Sequence, residues 1–261
     1  MRAVEPKVFL VGETRTIEEG LREYLTYIGV PEWASDAPTD AEELIEVMGR
    51  LCYRSFEPGL NPNVTKIREG NNAYLENILE VKHGSVIEHP TFQFVFASVS
   101  RVFTHELVRH RAGVAISQES LRFVRLTDIP FWFPEWARED AELVRRCQDL
   151  LLAMEEHQQW MAKHFGLNEE GVKFKEKKHK TSFMRRFAPE GVATSIGWSA
   201  NPRTLRWVLE MRTDPSAEEE IRLVFGKVGE IVVARYPNLF GDFTVEVLDG
   251  LPCYKPAASK V

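Results

Sequence analysis

Between residues 91 and 99 the sequence alternates with a period of two: Phe92, Phe94 and Phe96 take every second position, separated by Gln93 and Val95. On a helix these three rings would scatter around the axis, whereas on an extended strand they share one face. The chain must therefore build a sheet with one strongly apolar face and find cover for it. Most of the remaining sequence has a period near 3.6 and supplies that cover as helices.

The spacing of Leu21, Tyr24, Leu25 and Ile28 predicts a helix over 16–28. Thr39-Asp40 opens another over 40–53, with Leu44, Ile45, Met48, Leu51 and Cys52 on one stripe. A turn-rich loop at 57–65 precedes a third helix at 72–81. A helix over 101–111 is expected to stop at Gly113, with Arg109-His110-Arg111 in its last turn. Pro134 and Gly166 bracket one long helix, 134–165, and a basic helix follows at 173–186. Asn201 and Pro202 read as cap and first turn of a helix over 202–211, and the last helix spans 217–236. Strands are expected at 7–11 and 192–199, while the stretch from 243 onward receives no element. The class is a mixed, helix-rich α/β fold. We expect a single domain over 1–261, with 1–40 as an N-terminal strand and helix elaboration and 243–261 as a tail.

Partner classes are bounded by charge and cysteine usage. A formal net charge of −6 opposes generic nucleic-acid coating, so an anion site must be a local cluster of Arg and Lys. No apolar run approaches the roughly 20 residues needed to span a bilayer, and no secretion signal is read. Cys52, Cys147 and Cys253 are odd in number and form no CxxC pair, which fits a reducing cytoplasm. Neither GxGxxG nor GxxxxGK[ST] occurs, so no Rossmann or P-loop phosphate cradle is proposed. His105-Glu106 followed by His110 departs from the HExxH zinc motif, because the second histidine comes one position late and sits roughly 140° away around a helix. No metal is expected.

Three polar constellations remain. His83-Gly84-Ser85-Val86-Ile87-Glu88-His89 lies in a connection, where Ser85 and Glu88 also have the spacing of a helix capping box. Arg109-His110-Arg111 could simply complement a helix C-terminus. Ser117-Gln118-Glu119-Ser120-Leu121-Arg122 reads as a second polar loop, in which Ser and Arg together suit phosphate oxygens. Arg185, Arg203 and Arg212 are further cations. Nine positions separate Arg203 from Arg212, about 180° around a helix, so they should face different ligands or different subunits.

Taken in order, His83-x-Ser85-x-x-Glu88-His89, then Thr104-His105-Glu106-Leu107-Val108-Arg109-His110-Arg111, then Ser117-Gln118-x-Ser120-x-Arg122 resemble the signature of flavin-dependent thymidylate synthases. Arg185-x-x-x-Pro189, Asn201-x-Arg203 and Arg212 extend the resemblance, which runs from about Cys52 to Arg222. One departure is that eight residues, 112–119, separate the Arg-His-Arg triplet from Ser120, where the family usually has seven.

The resemblance implies the family's α/β architecture, with a central antiparallel sheet and long helices. It also implies a homotetramer with active sites between subunits, FAD as cofactor, NADPH as reductant, methylene-tetrahydrofolate as carbon donor and dUMP as substrate. Ser55, His83, Ser85, Glu88, Arg109, His110, Arg111, Gln118, Asn201 and Arg203 would hold FAD. Glu106, Arg109, Ser120, Leu121, Arg122, Arg185 and Arg212 would bind dUMP, with Arg122 and Arg185 toward its phosphate and Arg212 at the uracil. The positive triplet suits a reduced flavin, whose ring gains negative charge. Arg212 and Ser120 are the candidates for the chemistry. A serine nucleophile needs a base, however, and only Glu119 is near in sequence, so hydride delivery with Arg212 steadying charge on the uracil carbonyls is preferred. The competing readings are a related methylase of another pyrimidine nucleotide such as UMP, and a non-catalytic nucleotide- or RNA-binding protein built on the basic helix 173–186.

Overall fold

The computed structural model describes residues 1–122 and 126–261. In chain order it contains β1 (Arg2–Ala3), β2 (Lys7–Glu13), α1 (Glu18–Tyr27), α2 (Asp40–Tyr53), α3 (Asn71–Glu80), β3 (Phe92–Ser100), α4 (Arg101–Leu107), β4 (Val114–Gln118) and β5 (Pro130–Phe131). It continues with α5 (Glu135–Arg138), α6 (Ala141–His164), α7 (Phe174–Met184), β6 (Ala193–Ala200), α8 (Pro202–Arg212), α9 (Glu219–Arg235), α10 (Pro237–Phe240), β7 (Phe243–Leu248) and β8 (Leu251–Pro256). Short 3-10 turns cover Val86–Glu88 and Arg185–Phe187. The main sheet has the order β2-β3-β6-β4, β1 pairs with β5 in parallel, and β7 and β8 form an antiparallel hairpin. This is the mixed, helix-rich class expected. Two compact units divide the residues: Met1–Phe9, Val95–Arg109 and Ile116–Gly197 in the first, and Leu10–Phe94, His110–Ala115 and Trp198–Val261 in the second.

Within the second unit, the inward face of β3 explains the alternation. Phe92 stacks on Tyr236 at 4.3 Å between ring centres, and Phe94 meets Trp198, which meets Phe225 edge-on at 5.8 Å. Helix α2 begins where expected, because Thr39 Oγ1 accepts from the Glu42 amide at 3.3 Å. Arg50 on α2 is buried and fully engaged: it pairs with Glu46, lies 4.5 Å over the Tyr74 ring and donates to the Ser55 carbonyl at 2.7 Å.

The stretch from 243 onward is not a featureless tail. Asp249 and Gly250 both have positive φ, 53° and 76°, and form the two-residue turn that joins β7 to β8. An Asp-Gly pair between alternating apolar residues is the local sequence signal for this turn. The hairpin's entry is tied to α8 by a two-pronged bond from Arg206 to Asp242, at 2.6 and 2.8 Å. Burial alone would raise the Asp242 carboxyl, but the Arg206 guanidinium and the Ala258 amide hold it below its ordinary value of 3.8. A carboxyl lowered in the folded state contributes stability that is present above the ordinary value and lost as pH falls through the folded one. Thermal unfolding of Asp242→Asn should therefore show a shallower loss of Tm below about pH 4 than the parent. An identical acid-side slope in the two proteins would show that this pair does not set it.

Within the first unit, Phe96 meets Phe103 edge-on at 5.5 Å. Ser98 has φ 58°, and past it the alternation of β3 breaks so that Val99 and Ser100 are both buried. Ser100 Oγ then accepts from the Phe103 amide at 3.0 Å and starts α4. This helix ends at Leu107, four residues before the expected end, so the Arg109-His110-Arg111 triplet follows the helix instead of closing it. The long helix expected over 134–165 is two helices. Asp140 accepts from the Leu143 amide at 2.9 Å and caps α6, because a short acidic side chain competes with helix continuation at that point. Residues 114–118 form β4, so only 119–122 of the expected polar loop lies outside a strand. Leu126, Ile129, Phe133, Leu151 and Val192 pack as one core cluster.

Candidate active site

The candidate residues fall into two groups, one in each unit. In the second unit the organising feature is the N-terminal turn of α8. Asn201 Oδ1 accepts from the Thr204 amide at 2.9 Å, Thr204 Oγ1 donates to the Ala112 carbonyl at 2.7 Å, and the Asn201 amide donates to the Gly113 carbonyl at 3.2 Å. Gly113 has φ 68°, and a Cβ there would lie 2.4 Å from Asn201 Nδ2, so only glycine permits this clamp. The glycine expected to stop a helix instead holds the 112–113 turn against α8. Asn201 thereby acts first as a cap and a positioning residue.

This clamp sets His110 beside the far turns of the same helix. His110 is buried, meets the Trp207 ring edge-on at 5.0 Å, and accepts at Nε2 from Arg212 Nε at 2.7 Å. Because the guanidinium can only donate, Nε2 must be the lone-pair nitrogen of the imidazole. In this arrangement the triplet presents two charges, those of Arg109 and Arg111, and His110 orients Arg212.

The His83 segment faces the other side of α8. Glu88 pairs with Arg203, and Ser85 makes no side-chain cap, so the capping-box reading fails. A Cβ on Gly84 would lie 2.7 Å from Arg203 Nε, which is why the Arg203 side chain can cross there. The Arg203–Glu88 pair is about half exposed and should contribute at most about 1 kcal/mol, so a ligand anion can redirect it. His83 packs edge-on against Tyr53, while Ser55 is buried with its carbonyl held by Arg50. Glu88, Asn201, Arg203 and Trp207 line a groove of about 370 Å³. Within the chain, Arg203 pairs with Glu88 and Arg212 bonds to His110.

The first unit holds the group around β4 and α7. Gln118 Nε2 donates to Thr104 Oγ1 on α4 at 3.2 Å, with Glu106 half-buried on the same helix and Arg109 exposed just beyond it. The Glu119 carboxylate accepts from the Ser195 amide at 2.9 Å and from Thr194 Oγ1 at 3.4 Å. The one base near Ser120 in sequence is thus held by β6. Ser120 Oγ in turn lies 3.4 Å from both the amide and Nε of Arg122, which donate to it. That contact orients Arg122 and gives the serine no activating base. The Arg122 carbonyl accepts from Thr181 Oγ1 on α7 at 3.0 Å. One turn further on, Arg185 lines a small cavity of about 150 Å³ with Leu121, Gln158, Lys163 and Thr181. Thr181, Thr204 and Trp207 were missed from sequence because no motif marks residues that act through another's backbone or ring.

The fold is shared with solved enzymes that act on pyrimidine nucleotides. Thymidylate synthase X from Helicobacter pylori with FAD and dUMP aligns with a TM-score of 0.58 at 20% identity, covering 91% of this chain and 98% of that one. The UMP/dUMP methylase PolB from Streptomyces cacaoi bound with 5-Br UMP aligns with a TM-score of 0.62 at 14% identity, covering 92% and 94%. The model of the family described as "Thymidylate synthase complementing protein" matches residues 35–238. The flavin-dependent thymidylate synthase of Corynebacterium efficiens is 35% identical over 227 residues, covering 83% of this chain and 84% of the relative. That of Mycobacterium marinum is 31% identical over 233 residues, covering 87% and 88%. The chain belongs to the flavin-dependent thymidylate synthase family of enzymes.

Proposed function

We propose that this enzyme converts dUMP to dTMP, taking the carbon from methylene-tetrahydrofolate and using FAD that NADPH has reduced. The observation that carries the reading is the Arg212–His110 bond: it joins the residue cast at the uracil to the centre of the Arg-His-Arg motif, on a chain whose relatives bear that activity's name.

The residues present fit a flavin nucleotide. The groove beside α8 combines an exchangeable cation, Arg203, a buried amide, Asn201, and an aromatic ring, Trp207, with Arg111 exposed on the adjoining turn. His83, Ser85, Glu88, Arg111, Asn201 and Arg203 would hold the cofactor, and Arg109 and Gln118 keep the flavin-binding role that the family resemblance assigns them. When bound and reduced, FAD supplies the hydride for the new methyl group. Ser120, Leu121, Arg122 and Arg185 anchor the dUMP phosphate, with Glu106 and Arg109 as further substrate contacts. Arg212, its Nε bonded to His110, is assigned to the uracil carbonyls, where a guanidinium would stabilise the charge that develops. The whole chain acts as one synthase domain in a homotetramer with shared sites, in the cytoplasm. Among the described residues no helix is long and apolar enough to cross a membrane.

The purified protein should carry FAD and should not be a monomer. Light scattering combined with a flavin absorption spectrum measures both, and a colourless monomer that takes up no added FAD would contradict the proposal. UMP assayed beside dUMP settles the sugar, since the PolB enzyme of the same fold is named for both nucleotides.

A further inference from the structure

Residues 257–261 lie after β8 and outside the span 35–238 that the family model matches, yet they are held against α8 by a series of bonds. The Ala257 amide donates to the Asp242 carbonyl at 3.0 Å and the Ala258 amide to Asp242 Oδ2 at 3.1 Å. Arg206, while gripping Asp242, also donates to the Ala258 carbonyl at 3.1 Å. Ser259 Oγ donates to the Glu210 carboxylate, with both oxygens within 3.0 Å, and Arg203 Nε donates to the Val261 carbonyl at 2.8 Å. Arg203, Arg206 and Glu210 stand at i, i+3 and i+7, which is one face of a helix. That face contributes three side chains that bond the segment, while Arg203 and Arg206 also pair with Glu88 and Asp242.

The same segment borders the groove described above. Pro256, Ala258 and Lys260 line it opposite Glu88, Asn201 and Arg203. Anchored on both sides by Ser259 and Val261, Lys260 is positioned there at little further cost in chain entropy. Lys260 thereby joins Arg203 and Arg206 as a third cation at the groove.

We propose that segment 257–261 is a wall of the cofactor groove and that Lys260 is a further cofactor-binding residue, which contacts an anionic group of the flavin nucleotide, its diphosphate, together with Arg203. This inference rests on the FAD reading given above. A charge-assisted bond of this kind is lost with a weakening of roughly tenfold or more, and reversing the charge adds repulsion that salt screens.

FAD binding is measured by quenching of flavin fluorescence, which needs no turnover. Lys260→Glu should weaken FAD at least about tenfold at low salt, with the difference shrinking as salt is raised, while Lys260→Arg stays near the parent. Deletion of 257–261 should weaken FAD as well, while the dUMP affinity of Lys260→Glu, and its thermal unfolding once flavin has been removed, should stay unchanged. Unaltered FAD affinity in both Lys260→Glu and the deletion would overturn the proposal. Tighter binding in the deletion would overturn it too, since the segment would then obstruct the groove. A parent protein that binds no FAD would instead sink the cofactor reading itself, so the two failures are distinct.

Discussion

Arg212→Ala is expected to lose turnover by about a hundredfold to a thousandfold even at saturating dUMP, the usual effect of removing a donor aimed at charge that develops in the transition state. Because the interaction strengthens only as the reaction proceeds, kcat and kcat/KM should fall together. The structure sharpens this expectation. Arg212 donates from Nε to His110, a bond that fixes the plane of the guanidinium. Arg212→Lys should therefore rescue poorly, since an ammonium can replace the charge but not the planar group. A cysteine-free chain offers the contrast. Cys52 is exposed, Cys147 half-buried and Cys253 buried on β8 of the hairpin, and none belongs to either group of site residues. Replacing all three should leave turnover within a few-fold wherever the protein still loads flavin. An inactive, flavin-loaded cysteine-free protein would argue for a thiol nucleophile and against the assigned role of Arg212.

The second large effect is expected in substrate affinity. Arg122→Ala and Arg185→Ala should each weaken dUMP by roughly tenfold to a hundredfold, the equivalent of about 1.5 to 3 kcal/mol for a hydrogen bond to a charged group. FAD affinity should change little. The two arginines are joined locally, because Thr181 on α7 donates to the Arg122 carbonyl while Arg185 lies one turn further along the same helical path. Their effects should therefore not add, and the double variant should lose less than the product of the two single losses. Isothermal titration of the three variants with dUMP measures this. Unchanged dUMP affinity in both single variants would show that the phosphate lies elsewhere.

How much of this was legible in the sequence varied with the range of the interaction. Helices α2 and α8 start where Thr39 and Asn201 announce them, because a cap acts on amides two or three residues away. The phenylalanine alternation in β3 was equally plain, since its period is local. Strand β4 escaped notice because Val114 and Ile116 alternate over only five residues, too few to stand out beside a polar motif. The Asp249-Gly250 turn, by contrast, is local and marked by its own two residues. Other features had no local signal. Gly113 looked like a helix stop, and its actual role depends on Asn201, far along the chain. Glu88 looked like half of a capping box until Arg203 was brought to it. The motifs named the candidate residues. Their division into caps, acceptors and paired cations came only from tertiary contacts.

The most direct test of the central claim is to incubate the purified protein with dUMP, methylene-tetrahydrofolate, FAD and NADPH and to measure dTMP by chromatography. The account predicts dTMP that depends on dUMP, methylene-tetrahydrofolate, NADPH and flavin, bound or added, and that falls by about a hundredfold or more in Arg212→Ala. Failure of the flavin-loaded protein to form dTMP from dUMP would contradict it, as would formation that proceeds equally well without added or bound flavin.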